Sequence, residues 1–260
     1  KKIIINILKD RQVMVVEKNI KLKGKIYKIP LISEQIKYIS YLFFLSIKKQ
    51  FKYIDRWNVA FQYGRWKNID PKKSIHIKNP KNRFLADPFI FEDKDRKFCF
   101  VEDFDLIKSK GKISVYELNS KKYVELGTAI EEAFHLSYPY LFKYKSEIYM
   151  LPETSSNLDI RIYKAKKFPL KWELERIIFN GISSADNMIF EYGELWWLFS
   201  NIDPSISSDH CSELSIFYTE DPINGQWKSH KKNPIFIDPY KARNGGIILD
   251  EKNIYRVNQI

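Results

Sequence analysis

Cysteine is nearly missing from this chain: 260 residues hold two, Cys99 and Cys211. Two cannot build a disulfide framework. Cys99 lies in the apolar run Phe98-Cys99-Phe100-Val101, where a free cysteine packs as a small hydrophobe. No Cys/His cluster falls at zinc-ligand spacing, so neither a metal nor a cofactor is expected. Glycine is scarce, at nine. No apolar run approaches the roughly 20 residues that a membrane-spanning helix needs. Nor is a short apolar core followed by a small-residue cleavage site, the pattern of a secretory signal. The placement expected is cytoplasmic, or peripheral at a membrane.

Aromatic residues, by contrast, are plentiful at 15%, and with the β-branched residues they favour strands. The net charge of +12 is unevenly spread: twelve Lys/Arg against three Asp/Glu fall in residues 1–50. The remainder is close to neutral, which argues against a nucleic-acid-binding face there.

One stretch organises the rest. Phe84-Leu85-Ala86-Asp87-Pro88-Phe89-Ile90-Phe91 reads as a strand begun by an acidic residue. Leu136–Phe142, Ser184–Phe190 and Ala242–Leu249 echo it, with leading residues Asp87, Tyr138, Asp186 and Arg243 spaced 51, 48 and 57 apart. A period near ~50 residues marks stacked or radial β-repeats. Fifteen residues after each leading residue stands a second polar residue that closes an apolar run: Glu102, Glu153, Asn201 and Asn258. A polar turn separates the two columns, so each unit opens with a β-hairpin whose two polar residues share one rim.

The order along the chain is then legible. Residues 1–30 alternate apolar and basic and read as two or three strands. Glu34 to Tyr53 spaces Ile36, Ile39, Leu42, Phe43 and Ile47 as a helix does. That helix either packs on a domain edge or lies on an anionic membrane surface. Trp57–Tyr63 and Arg65–Lys67 read as strands, and 73–83 as a loop. Two further strands follow each of the first three hairpins, which makes units of propeller-blade length. The fourth stops after its hairpin, so the strands near Trp57 and Trp66 complete it or more chain follows. The fold class expected is all-β, a β-propeller over 56–260, with a basic extension over 1–55 that contains a short helix.

In a propeller the starts of the innermost strands ring a central mouth. Asp87, Tyr138, Asp186 and Arg243 would converge there, with Glu102, Glu153, Asn201 and Asn258 behind them. Carboxyls gathered in one funnel suit glycosidic-bond chemistry, where one acid protonates the leaving oxygen and another activates water or attacks the sugar. Burial and mutual repulsion spread their pKa values. Arg243 would counter that charge or grip a substrate anion. Asp before Pro or Asn also simply caps a turn, so a structural role competes for Asp87 and Asp186. His135 and His210 are candidate sugar contacts or proton shuttles, with a structural role as the alternative. Asn244, beside Gly245 and Gly246, belongs to the same polar cluster. Tyr138 is a candidate for stacking on a sugar ring.

Phe84–Phe91, Phe134–Pro139, Pro152-Glu153-Thr154, Ala185-Asp186-Asn187 and Ala242–Gly246 resemble the propeller domain of plant glucosamine inositolphosphorylceramide transferases. The likeness runs from about Trp57 to Ile260. More distantly the chain is similar to the five-bladed propellers of arabinanase- and invertase-type glycoside hydrolases. That resemblance implies five blades where four repeats are visible, and Asp87 as base or nucleophile. The second-blade leading residue is Tyr138 rather than an acid, so Glu153 or Asp186 would supply the general acid. Carbohydrate chemistry, by cleavage or transfer of a glycosyl unit, is the function implied. A non-catalytic glycan-binding module serving a partner glycosyltransferase is the alternative. The substrate expected is a carbohydrate or glycolipid, and no nucleic acid.

Overall fold

Period-two patterning makes strands, and tight turns fold them back in pairs. The structure, a computed structural model, describes residues 30–50, 56–205, 209–250 and 253–259. The chain divides into two units, Lys1–Arg56 and Trp57–Ile260. In the first, helix α1 (Ile32–Gln50) begins where Glu34 reaches back to accept the Leu31 N–H at 2.7 Å, half of a capping box. Ile36, Ile39, Leu42, Phe43 and Ile47 are all exposed. The strands expected between Ile3 and Tyr27 lie outside the described residues.

The second unit opens with a short ladder, β1 (Ala60–Phe61) with β2 (Ile75–His76). Blade one follows as β3 (Arg83–Asp93), β4 (Arg96–Asp105), β5 (Lys110–Leu118) and β6 (Tyr123–Ile130). Blade two is β7 (Ser137–Tyr144), β8 (Glu147–Glu153), β9 (Asp159–Lys167) and β10 (Lys171–Asn180). Blade three is β11 (Ser184–Tyr192), β12 (Leu195–Ile202), β13 (Glu213–Thr219) and β14 (Lys228–Ser229), with β15 (Phe236–Ile237) also on β13. β16 (Asn244–Asp250) and β17 (Asn253–Asn258) form the last hairpin. Strands β3, β7, β11 and β16 lie side by side in that order, the inner wall of a β-propeller.

Two local devices repeat. The hairpins of blades one to three turn through Lys94-Asp95, Lys145-Ser146 and Gly193-Glu194, each with two positive φ values, the signature of a type I′ turn. After five pairs in from each turn the register slips at a β-bulge. The residues at the slip, Asp87, Tyr138 and Asp186, have φ of 46°, 45° and 51°. That left-handed conformation costs an L-residue about 1–2 kcal/mol, so the surroundings must enforce it three times over.

Register also corrects the fourth repeat. Counting in from the turn pair Asp250↔Asn253 puts Asn244, not Arg243, in the place of Asp87, and Gln259, not Asn258, in that of Glu102. The Gln259 N–H donates to the Arg243 carbonyl at 3.1 Å, as that register requires. The fifteen-residue interval is the same for either pair, so spacing by itself left a one-residue slip undetected.

The two faces of β4 feed different cores. Phe98 and Phe100 pack with Ile113, Val115, Leu136, Met150 and Tyr163 between blades one and two. Cys99 and Val101 face the other way, with Val59, Phe61, Ile77, Leu85 and Tyr116. Cys99 is fully buried, and burial pushes its thiol up to about 12. The segment before blade one differs from expectation. Trp66–Asn68 is a 3-10 turn rather than a strand, and the expected loop supplies β2 as partner for β1. Among the described residues these strands do not extend the last hairpin's sheet. They adjoin it through the Trp66–Tyr255 ring contact and a Lys67–Asp250 ion pair of 2.6 Å.

Asn201 joins blade three to the last hairpin. It accepts the Asn244 N–H at 2.8 Å and donates to the carbonyls of Glu213 and Ala242 at 2.8 and 2.9 Å. Asn201→Ala strands the buried Asn244 amide and takes one donor from each of two carbonyls, which should lower stability by about 1–3 kcal/mol in urea unfolding. A loss under about 1 kcal/mol would show that those groups have other partners.

Candidate active site

At the bulges the N–H groups of Tyr138, Asp186 and Asn244 bond outside their own sheets, toward the neighbouring blade. A buried N–H needs an acceptor. The Tyr138 N–H finds Asp87 Oδ2 at 3.3 Å, the Asp186 N–H finds Glu153 Oε2 at 3.3 Å, and the Asn244 N–H finds Asn201 Oδ1 at 2.8 Å. Each blade thus clasps the next through a site residue. In blades two and three the clasp comes from the second column, Glu153 and Asn201. In blade one Asp87 supplies it instead, and Glu102 is left out of the clasp.

Four carboxyls converge as a result. Glu102 lies within electrostatic reach of Asp87 and Glu153, and Asp87 acts in turn on Glu153 and Asp186. Burial is the first cause that raises all four, and repulsion among them adds to it for Glu102, Glu153 and Asp186. Glu102 is raised furthest in kind, to about 8. Asp87 is raised less freely, because the Tyr138 N–H and the Arg243 charge favour its anion. Arg243 Nε donates to Asp186 Oδ2 at 2.7 Å, which opposes the effect of burial there. Glu153 also accepts from the Ser155 hydroxyl at 2.8 Å.

Other residues singled out from the sequence take different places. Tyr138 is 2% exposed and its ring packs edge-on against Phe89, with centroids 4.9 Å apart, so the ring is not open for stacking. Its buried hydroxyl has no hydrogen-bond partner among the described residues and faces the charges of Asp186, Asp87 and Arg256. Asn244 is buried and donates to the Asp186 and Phe199 carbonyls while accepting from Arg256 Nε at 2.7 Å. Asn201 and Asn244 therefore hold backbone rather than offer free amides to a substrate. Asn258 donates to the Tyr240 carbonyl. His135 sits beside Glu102, with Nε2 at 3.5 Å from Oε1. His210 contacts the Ser183 hydroxyl at 2.9 Å and reaches the cluster through the Arg243 charge.

Four participants were missed. Gln259 donates to Asp186 Oδ2 at 3.4 Å and the Asn244 carbonyl at 2.7 Å. Arg256 ties Asn244 to the carbonyls of Lys241 and Ala242. Cys211 lies 3.6 Å from Arg243 Nη1. Gly111 donates its N–H to His135. Counting from the turn would have found Gln259; nothing in the pattern marked the other three. Asp103, next to Glu102, points to the opposite face of β4, where Arg83 and Ser114 hold it beside a cavity of about 70 Å³ lined by charged side chains. Asp105 caps the turn at Ile107 and Lys108. Among the described residues no group of three or more His, Cys, Asp or Glu side chains is arranged to hold a metal ion.

Comparison with known proteins adds the lineage. The profile of the family described as glucosamine inositolphosphorylceramide transferase 1, N-terminal, matches residues 69–260. The chain belongs to that family. A glucosamine inositolphosphorylceramide transferase 1 from Oryza sativa subsp. japonica is 38% identical over 185 residues, covering 69% of this chain and 24% of the relative. The Arabidopsis thaliana protein of the same name is 37% identical over the same length and shares. The chain thus spans about a quarter of the length of these curated relatives. Among solved structures, the Bombyx mori GH32 beta-fructofuranosidase superposes with a TM-score of 0.53 at 13% identity, over 70% of this chain and 43% of that one. A family 117 glycoside hydrolase from Zobellia galactanivorans gives 0.51 at 10%, over 70% and 62%. These two share the family's propeller fold.

The carboxyl cluster has a stability signature. The folded pKa of Glu102 lies above its ordinary value of 4.5, so the folded state holds the extra proton. Its stabilising contribution is full below about pH 4.5 and is lost as pH rises through about 8. Urea midpoints should fall between about pH 5 and about pH 9, and fall less in Glu102→Gln. Equal falls in both proteins would place the burden on other groups.

Proposed function

We propose that the propeller mouth carries out acid–base chemistry on a glycosidic or glycosyl-ester bond of a carbohydrate or glycolipid. The observation that carries this reading is the convergence of Asp87, Glu102, Glu153 and Asp186, with Arg243 bonded to Asp186 and its charge reaching Asp87. A buried cluster of that kind cannot ionise fully near neutral pH, so it holds a proton to give and a carboxylate to attack or take one. Asp87 is the base or nucleophile, since an amide N–H and the Arg243 charge both favour its anion. Asp186, bound by Arg243, holds the site's charge balance. The acid is a carboxyl that burial keeps protonated, Glu153 or Glu102. The name of the curated relatives, glucosamine inositolphosphorylceramide transferase 1, supports a glycolipid substrate class.

A second reading has its own support. The relatives are about four times as long as the stretch shared with this chain, which leaves room for transfer chemistry elsewhere in them. The propeller is then a glycan-binding module that presents acceptor to a partner glycosyltransferase. A peripheral membrane site fits either reading. The apolar residues of α1 are exposed, Lys37 interrupts them, and no described helix is long and apolar enough to cross a membrane.

Glycan-array binding followed by product analysis separates the two. If the mouth is catalytic, Asp87→Asn should keep binding but lose about 10²–10⁴-fold in turnover, the usual worth of a general base. Binding without product from the wild type supports the module reading instead. For α1, flotation with phosphatidylserine vesicles should weaken when residues 1–56 are removed, and unchanged flotation removes the membrane role.

A further inference from the structure

Glu102 differs from its counterparts in a way that singles it out. Glu153 and Asn201, at the same register position in blades two and three, are spent on the leading amide of the next blade. Asp87 occupies that amide in blade one, so the Glu102 carboxyl, 8% exposed, keeps its oxygens for the mouth. Its neighbour is His135, which enters from the connection between β6 and β7. The Gly111 N–H, on β5, donates to His135 Nδ1 at 2.8 Å. That bond uses the Nδ1 lone pair, so the neutral ring carries its proton on Nε2, the atom facing Glu102 at 3.5 Å.

We infer that Gly111 locks His135 in the neutral Nε2–H form as a positioning residue, and that Glu102 is thereby the proton donor of the mouth. The inference rests on the acid–base reading above and selects between its two candidate acids.

The lock works by leaving the proton nowhere else to go. Charging the imidazole requires an N–H on Nδ1, aimed at the Gly111 N–H, two donors head to head. Nε2 is already protonated. His135 therefore cannot take the Glu102 proton, and burial, which lowers His135 below its ordinary 6.5, acts in the same direction. When Glu102 gives its proton to a leaving oxygen, the carboxylate left behind meets the Nε2–H as a donor. The other groups facing Glu102 are Asp87 on β3 and Glu153 on β8, and the charge of Asp103, on the far face of β4, also reaches it; all are acidic, and each opposes its ionisation before the transfer.

Glycine is required at 111 for a reason that can be measured. A Cβ there would lie 2.5 Å from the Leu136 carbonyl oxygen, 2.7 Å from His135 Cε1 and 2.9 Å from Nδ1. The Gly111 carbonyl also accepts the Leu136 N–H at 3.0 Å, which keeps this approach close. Phe104 flanks the ring with centroids 5.7 Å apart. The imidazole is thus held by backbone on one side and an aromatic ring near another.

Nitrogen and carboxyl-carbon NMR of the full chain, with pH varied, tests this directly. The His135 ring should remain the Nε2–H tautomer well below pH 6.5, while one carboxyl that is absent from Glu102→Gln titrates near about 8. In Gly111→Ala the ring should lose its single tautomer and titrate closer to 6.5. His135→Gln keeps a donor without a titrating ring, and serves if Gly111→Ala fails to fold; the Glu102 titration should persist in it. An imidazolium at His135 near 6.5 in the wild type, with no carboxyl titrating above neutrality, overturns the inference. Once a glycosyl substrate is turned over, the alkaline limb of its pH–rate profile should vanish in Glu102→Gln, with about a 10²-fold loss in rate. A surviving limb overturns the donor role. Absence of turnover on any glycan counts against the acid–base reading alone, because the NMR arm still decides the lock.

Discussion

A bent-out backbone amide is the constraint on which this propeller depends. At Tyr138, Asp186 and Asn244 the bulge turns an N–H out of its own ladder, and burial forbids leaving it unpaired. The neighbouring blade answers with Asp87, Glu153 or Asn201. Blade-to-blade cohesion at the mouth and the placing of candidate chemical groups are therefore one requirement, met by the same side chains.

The choice of acceptor varies round the ring, and the variation sorts structure from chemistry. Between blade three and the last hairpin the acceptor is neutral Asn201, within a closed set of bonds through Asn244 and Arg256. Toward blades one and two the acceptors are acids, which must be buried close together. Among the described residues Arg243 is the cation that compensates them directly, and it sits on Asp186. The result is a cluster short of positive charge, which holds protons at pH values where isolated carboxyls would not. Such a site destabilises the fold as pH rises, a cost with no structural return where Asn would serve equally well, as it does at 201. The strained φ values at Asp87, Tyr138 and Asp186 point the same way, since strain repeated at one rim aims side chains inward.

The relation to known proteins adds to this without replacing it. Family membership rests on a match across most of the propeller unit. The glycoside hydrolase likeness rests on shape at low identity, and conveys the fold. Neither says which carboxyl does what. The assignment we propose rests on hydrogen bonds and neighbouring charges: Asp186 on its arginine, Asp87 on the Tyr138 amide, Glu102 on its exclusion from the clasp.

The sequence by itself determined the repeat. Period-two runs, tight turns and a fifteen-residue interval between polar columns are local quantities, and they announced hairpins, blades and a shared rim holding Asp87, Glu102, Glu153 and Asp186. It could not detect the one-residue slip that hid Asn244 and Gln259, because an interval is blind to a shift of both its ends. Nor could it tell an open side chain from a spent one: Tyr138, Asn201 and Asn244 looked available, and the fold buries all three. Gly111 and Arg256 gave no signal, since their importance lies in what comes near them from distant strands. Tertiary structure decided which oxygen meets which amide and which carboxyl keeps its proton, because burial and charge proximity belong to the folded arrangement of blades and to no stretch of chain within it.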